Sequence, residues 1–503
     1  MAGCENYMRR YDLFKNGRLC ASISGGYFES VNPSCGEPFA YVADARIEDM
    51  QEAISSARKA FDGGSWSRIS IKERGQYLVK IADLIRENAH ELAELETLDT
   101  GKTIKQTTFI DVPTVADTFE FFGSRVESWV EDEVNTIANW PVKSKTVREP
   151  IGVVGCIIPW NYPLIMFGWK TAPALIVGNS VVFKPSSFAS VSIMRLAEII
   201  QDVGLPEGVL NIIPSSDHGV GAELIKSSDV DMISFTGGTD TGRKVMQLAS
   251  INTKKLCLEL GGKSPNIVFA DCDINAAVGG TMAAIFMNQG QMCTAGSRLL
   301  LEDKIYDEFL NLLIKKTQSL KIGDAASYET EFGPLISKRH RDNVLSVVEK
   351  GIEEGARLVC GGKVPEGEGI NPNGFYFEPT IFADVKNPMT IAREEIFGPV
   401  LSVIKFSSEQ EAVSIANDNE YGLAACIWSK DTDKAQRVAD RLRCGTVWVN
   451  TYGGFYNEAP FGGCKRSGFG RELGRDGLLE YTQAKHICMD ASLDGMALVS
   501  SWF

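Results

Sequence analysis

Cys293 stands in the run Asn288-Gln-Gly-Gln-Met-Cys-Thr-Ala-Gly-Ser-Arg298. A thiol attacks as its thiolate, and at a pKa of ~8.5 only a few per cent is ionised at neutral pH. Small neighbours let a substrate reach the sulfur and leave backbone N–H groups free; the other reading is a buried structural thiol. Glu259, in Leu258-Glu-Leu-Gly-Gly-Lys-Ser-Pro265, closes an apolar strand before a Gly-Gly turn. A half-buried carboxyl there has its pKa raised toward the working pH and suits a general base, or it caps the amides of the turn. Asn161, in Pro159-Trp-Asn-Tyr-Pro163, can donate its amide to a developing oxyanion, a contact worth ~3–4 kcal/mol. The alternative is a turn asparagine.

Two more segments suit a nucleotide. Lys184-Pro-Ser-Ser187 follows a strand, where a cation can meet a ribose or a phosphate. Gly237-Gly-Thr-Asp-Thr-Gly242 joins a strand to a helix, and a helix N-terminus favours phosphate. It is not GxGxxG, and alone it is a weak signal.

These residues need a frame that brings them together. Residues 47–62 and 71–98 have the spacing of amphipathic helices, separated at Gly63-Gly64. From 150 onward short apolar runs at 153–158, 180–183, 210–213, 232–235 and 256–258 read as buried strands. Helical segments at 164–177 (interrupted by Pro173), 189–203, 218–227 and 240–250 separate them. That alternation indicates βαβ units and a parallel sheet, which binds ligands outside the carboxyl ends of its strands. A second αβ block spans about 262–460, with a surface loop at 361–374, and the tail from 489 reads as weakly structured.

A chain of 503 residues is expected to hold two to four domains. With 44% apolar and 23% charged residues it has the composition of a soluble globular protein. The net charge of -14 argues against nucleic acid as the main partner. The twelve cysteines show no CxxC spacing and the four histidines lie far from any cysteine cluster, which argues against zinc or a disulfide scaffold. No metal is expected. The first residues lack the apolar core of a signal peptide, no stretch approaches the roughly 18 apolar residues of a membrane span, and Ser501-Trp-Phe503 is no peroxisomal address. The cytoplasm is the expected compartment.

Taken together and in this order, the segments resemble the aldehyde dehydrogenase superfamily. The most specific motifs are Leu258–Pro265 and Gly290-Gln-Met-Cys293. Around them stand Pro159–Pro163, Phe235-Thr-Gly237, Glu394-Glu-Ile-Phe-Gly-Pro399 and Pro460-Phe-Gly-Gly463. The resemblance runs from about Tyr11 to His486, and with it the bland readings of Cys293, Glu259 and Asn161 lose. It implies an α/β fold with a parallel Rossmann-type NAD(P)-binding domain (1–126 and 149–261) and a second α/β catalytic domain (262–464). A β-bridging oligomerisation segment (127–148 and 478–494) would make a homodimer or homotetramer.

The resemblance also implies a reaction. Cys293 attacks an aldehyde, Asn161 and the Cys293 N–H hold the oxyanion, hydride passes to NAD or NADP, and Glu259 activates the water that frees the acid. Lys170 and Glu472 match a pair that relays protons from Glu259. Lys184 would face the adenosine ribose, with Ser186 and Ser187 beside it. Trp160 and Gly237 would follow the pyrophosphate, together with Ile157, Pro159, Gly238, Gly242 and Leu260. Glu395 would hold the nicotinamide ribose and Phe397 the ring. Tyr162, Trp169, Met292, Thr294, Phe455 and Phe461 would line the aldehyde tunnel, with Met287 near. That lining suits an apolar or aromatic aldehyde, or an aminoaldehyde held by cation–π contact with Tyr162 and Trp169. Asp111 and Glu458 would add negative charge at its mouth.

Three other functions compete. A cysteine hydrolase needs a histidine base, and no histidine lies in these motifs; a CoA-acylating enzyme typically lacks the base that Glu259 supplies. A crystallin-like protein on the same fold can lose either group, and this chain keeps both.

Where many NAD-preferring members carry a glutamate three residues after the lysine, this chain has Ser187. A carboxylate there would repel the 2′-phosphate of NADP, so NADP should be tolerated. Ser187→Glu is expected to shift the ratio of kcat/KM toward NAD, and an unchanged ratio would contradict this.

Overall fold

The structure, a computed structural model, describes residues 8–367 and 369–491. Its first large sheet has eight strands. In spatial order they are Gly468–Phe469, Lys255–Glu259, Met232–Thr236, Val153–Ile157, Ser180–Lys184, Leu210–Ile212, Leu13–Lys15 and Arg18–Cys20. The five central strands are parallel. The chain forms Val153–Ile157 first, winds outward one way through Ser180–Lys184 and Leu210–Ile212, then returns to build the other side. The strand order therefore reverses between Val153–Ile157 and Met232–Thr236, where a doubly wound sheet opens a crevice.

Register fixes what stands at that crevice. Ile157 is opposite both Lys184 and Phe235, and Thr236 is opposite Glu259, so Lys184, Ile157, Thr236 and Glu259 share the carboxyl edge. Buried runs such as Val-Val-Gly-Cys and Ser-Val-Val-Phe-Lys suit strands covered on both faces. Helices Ile47–Gly63, His218–Lys226 and Thr239–Ala249 supply residues to the core on one side, and helices Ile71–Glu87, Val112–Arg125, Pro163–Ile176 and Val191–Gln201 to the core on the other.

A second sheet of seven strands follows in the order Arg357–Cys360, Thr380–Ala383, Val400–Phe406, Arg298–Glu302, Pro265–Val268, Ala424–Trp428 and Thr446–Val449. Only the pair Arg357–Cys360 and Thr380–Ala383 is antiparallel. A three-stranded antiparallel sheet joins Thr482–Asp490, Val142–Pro150 and Glu133–Asn135. Among the described residues its outer strands, and Thr446–Val449 of the larger sheet, are edges, and they fall partly within the segments expected to make subunit contacts. Residues 492–494 of that assignment lie outside the described residues, as do 501–503.

Three expectations change in detail. The segment 71–98 is two helices, Ile71–Glu87 and Ala89–Thr100, divided at Asn88, whose side-chain amide donates to Leu84 O (2.8 Å) and closes the first. The first begins with a reciprocal cap, Ser70 Oγ accepting from Glu73 N while Glu73 accepts from Ser70 N (2.8 Å). Pro173 does not interrupt helix Pro163–Ile176, because every residue of that helix is buried and packing on all sides outweighs the ~3 kcal/mol cost of an interior proline. Residues 489 and 490 of the expected weakly structured tail complete a strand paired with Lys143 and Val142, and the tail from 492 lies outside the described residues. Among the described residues no helix is long and apolar enough to cross a membrane.

Candidate active site

The nucleophile candidate lies in the turn between helix Ile274–Phe286 and strand Arg298–Glu302. Asn288, Gln289 and Gly290 take three successive left-handed conformations, φ 46°, 54° and 72°. Two are not glycine, so the surroundings must hold them there. Gln106 Oε1 accepts from Asn288 N (3.2 Å), Asn288 Nδ2 donates to Asn161 O (3.1 Å), and Ile336 N donates to Gln291 Oε1 (3.0 Å). Asn161, buried just before helix Pro163–Ile176, donates its amide to Gln291 O at 2.8 Å, two residues short of Cys293. One of its two N–H groups is thus spent on fixing the turn, and the other remains for a ligand. Gly262 comes so close that a Cβ there would collide with Cys293 O.

Burial pushes the Cys293 thiol far above its ordinary value, and the carboxyls of Glu395, Glu259 and Glu472 push it the same way. The Thr294 N–H opposes them. In the free protein the sulfur is therefore a thiol. The largest charged influences on it are carboxyls, whereas a cysteine hydrolase pairs its thiol with a histidine.

Glu259 ends its strand fully buried rather than half-buried, and neither of its oxygens has a hydrogen-bond partner among the described residues. Desolvation raises its pKa well above the ordinary carboxyl value, Glu472 adds to this, and Lys170 and Arg471 oppose it. A Cβ on Gly462 would stand 2.6 Å from Glu259 Oε1, so glycine at that turn leaves the space the carboxyl occupies. Lys170 Nζ donates to Ser234 Oγ (3.0 Å) and pairs with Glu472 Oε1. Burial alone would lower the Lys170 pKa; Glu472 more than reverses that. The three residues form one coupled buried group on the Cys293 side of the sheet.

Along the crevice, Gly238 is the extended residue before helix Thr239–Ala249, with open space where its side chain would be. Gly237 N donates to Glu259 O (3.0 Å), and a Cβ on Gly242 would meet Leu260 Cδ2 at 2.5 Å. A cleft of about 560 Å³ is bounded by Gly238 to Thr241, Arg393 to Glu395, Glu420, Tyr421 and Arg466. Glu395 accepts from Gly262 N (3.0 Å), and burial raises its pKa to about 7. Phe397 meets Trp160 edge-on at 5.3 Å. Lys184 is buried, its pKa lowered by desolvation to about 8 despite Asp44 and Asp217, with Nζ 3.4 Å from Pro185 O and Ser215 O. Ser186 Oγ accepts from Phe188 N (3.2 Å), and Ser187 is half-buried beside it.

On the other side, Trp169, Phe455 and Phe461 form a closed triangle with ring centres 5.1–5.6 Å apart, Phe455 lying partly exposed. Met292 and Thr294 are buried. One expectation fails. Asp111 is no charge at a mouth: a π-helical turn, Thr107–Asp111, carries it into the interior, where it pairs with the fully buried Lys102. Lys102 Nζ also lies 4.3 Å over the Tyr162 ring, so that aromatic face already has a cation. Glu458 is exposed.

The chain matches the profile of the aldehyde dehydrogenase family over residues 21–487. It is 49% identical over 478 residues to a betaine aldehyde dehydrogenase of Bacillus subtilis (strain 168), covering 94% of this chain and 96% of that one. It is 40% identical to retinal dehydrogenase 2 of Homo sapiens, covering 94% and 91%. This chain is an aldehyde dehydrogenase family member. A crystal structure of betaine aldehyde dehydrogenase from Staphylococcus aureus in complex with NAD+ superimposes with a TM-score of 0.94 at 40% identity, covering 98% of this chain and 97% of that one.

Two features of this aldehyde dehydrogenase were not apparent from its motifs. His340, from the first turn of helix Lys338–Glu353, packs on Trp160 (5.6 Å) and donates Nε2–H to Phe397 O (2.7 Å); burial lowers its pKa, so it is neutral. Trp448 and Tyr452 extend the aromatic triangle, Trp448 meeting Phe455 at 5.6 Å and Tyr452 at 4.9 Å. No local signal marks His340. The aromatic spacing of 448, 452 and 455 was visible, but ordinary core has the same look.

Proposed function

We propose that the protein oxidises an aldehyde to its carboxylic acid with NAD or NADP, through an acyl group carried on Cys293. The observation that carries this is Glu259: a buried carboxyl acting on the Cys293 sulfur, with neither oxygen hydrogen-bonded among the described residues. A structural glutamate at that depth would be hydrogen-bonded.

The crevice fits a dinucleotide. The open position at Gly238, the helix start at Thr239 and the adjoining cleft would take a pyrophosphate; Lys184 would meet the adenosine ribose, and Glu395 the nicotinamide ribose. Ile157, Pro159, Trp160, Ser186, Ser187, Gly237, Gly242 and Leu260 would line the path, and Phe397 would pack beside the ring. A bound nicotinamide supplies a hydride acceptor, and its positive charge offsets the carboxyls that hold Cys293 protonated.

The chain does the rest. Once the thiol has released its proton to solvent, the Cys293 thiolate sulfur bonds to the aldehyde carbon, and the carbonyl pair moves to oxygen, where the second Asn161 N–H and the Cys293 N–H receive it. After hydride loss the sulfur holds a thioester. Glu259 takes a proton from water, the water oxygen bonds to the acyl carbon, and the C–S bond breaks to return the thiolate. Lys170 and Glu472 are placed to pass that proton on. Glu259→Gln should keep a burst of about one NAD(P)H per site and then stall, and unchanged steady turnover would remove Glu259 from this role.

Trp169, Phe455 and Phe461 offer ring faces to an apolar tail or to a quaternary ammonium, the second being what the name of the Bacillus relative suggests. With Asp111 buried and Tyr162 facing Lys102, a cationic head would rest on this triangle alone. The expected kcat/KM for betaine aldehyde is therefore at least equal to that for hexanal in the wild type and falls at least tenfold relative to hexanal in Trp169→Leu. An unchanged ratio would contradict the assignment.

A further inference from the structure

The nucleophile turn is gripped on both sides of Cys293, and only the grip through Gln291 belongs to the reaction already described. On the far side, Tyr452 donates its hydroxyl to Thr294 O at 2.5 Å. Thr294 is buried, and its own N–H is the group that favours the Cys293 anion. The residue next to the nucleophile is thus held at its carbonyl while its amide serves the sulfur. Gly296 lies 3.0 Å from the same hydroxyl, measured from where its Cβ would be, so the turn has closed onto the phenol.

Tyr452 is itself well anchored. Trp448 stacks against it with ring centres 4.9 Å apart, and Trp448 Nε1 donates to Gly454 O (2.9 Å), which pins the loop that carries Tyr452. Trp448 also meets Phe455 of the aromatic triangle. A continuous packed path therefore joins the proposed aldehyde wall to the backbone beside the sulfur.

We propose that Tyr452 is a positioning residue: its hydroxyl fixes the Cys293–Thr294 segment so that the sulfur stays aligned with the Asn161 amide. This rests on Cys293 being the nucleophile. The physical reason is asymmetry. A buried carbonyl left without its donor is costly, and the turn can relieve that cost by rotating toward another partner. A displacement of the order of 1 Å at a reacting atom is enough to lower a rate substantially.

Tyr452→Phe keeps the ring and its stacking and removes only the donor. Its kcat should fall about tenfold, with the KM for aldehyde within about twofold of wild type. Alkylation of Cys293 by iodoacetamide, followed on the Cys293 peptide by mass, should slow, with its pH profile displaced to higher pH because the Thr294 N–H no longer points steadily at the sulfur. Tyr306→Phe is the control: that buried phenol, bonded to Asp384 (3.2 Å) at the edge of the second sheet, should lower Tm and leave kcat and the alkylation profile alone. If Tyr452→Phe lowers Tm like the control while kcat and the Cys293 alkylation profile stay at wild type, Tyr452 is structural only and the inference is overturned. That outcome leaves the Cys293 reading standing, because that reading fails only if Cys293 proves dispensable for turnover.

Discussion

Putting a thiol and three carboxyls into one buried volume is expensive, and the rest of the molecule is arranged around that expense. Each acid raises the free energy of a thiolate at Cys293, and burial does so more than any of them. The resting protein accepts a protonated sulfur and a Glu259 carboxyl whose ionisation is opposed by burial and by Glu472. What it preserves is placement. Lys170, locked to Glu472 and Ser234, keeps one positive charge in the group, so the acids do not all have to be neutral. A cation arriving from the crevice would tip the balance, which ties the reactivity of the sulfur to occupancy of the dinucleotide path.

The placement comes from the carboxyl end of the first sheet meeting the amino end of the second. The first sheet sets Lys184, Ile157, Thr236 and Glu259 in a row by register alone, and the Gly261-Gly262 turn after Glu259 leads straight into the second sheet through Pro265–Val268. Glycine is required there because Glu395 occupies the volume a Gly261 side chain would take, and Cys293 O the volume of a Gly262 side chain. The chain thereby brings residues 161, 259, 293, 395 and 472 into one site without a metal ligand cluster among the described residues.

How much of this the sequence disclosed depended on whether the cause was local. The parallel strands were legible because short β-branched runs between helices have few other uses, and the ends of Val153–Ile157 and Lys255–Glu259 fell within a residue or two of the expected positions. Asn161, Glu259 and Cys293 were legible from their motifs, though the motif did not show that Asn161 already spends one N–H on Gln291 O. Asp111 was misread because its burial depends on a π turn that rotates it toward Lys102, a distortion with no composition of its own. His340 and Tyr452 were missed because their partners lie 57 and 158 residues away, and such contacts exist only after both sheets are assembled.

The account stands on Cys293 as the atom that carries the acyl group. The most direct measurement is NAD(P)H formation at 340 nm from an aldehyde by Cys293→Ser, a change of one atom in an otherwise intact site. A hydroxyl in that place is far harder to ionise than a thiol, so turnover should drop by at least a thousandfold while NAD(P) binding, followed by fluorescence, persists. Turnover at the wild-type rate would contradict the account.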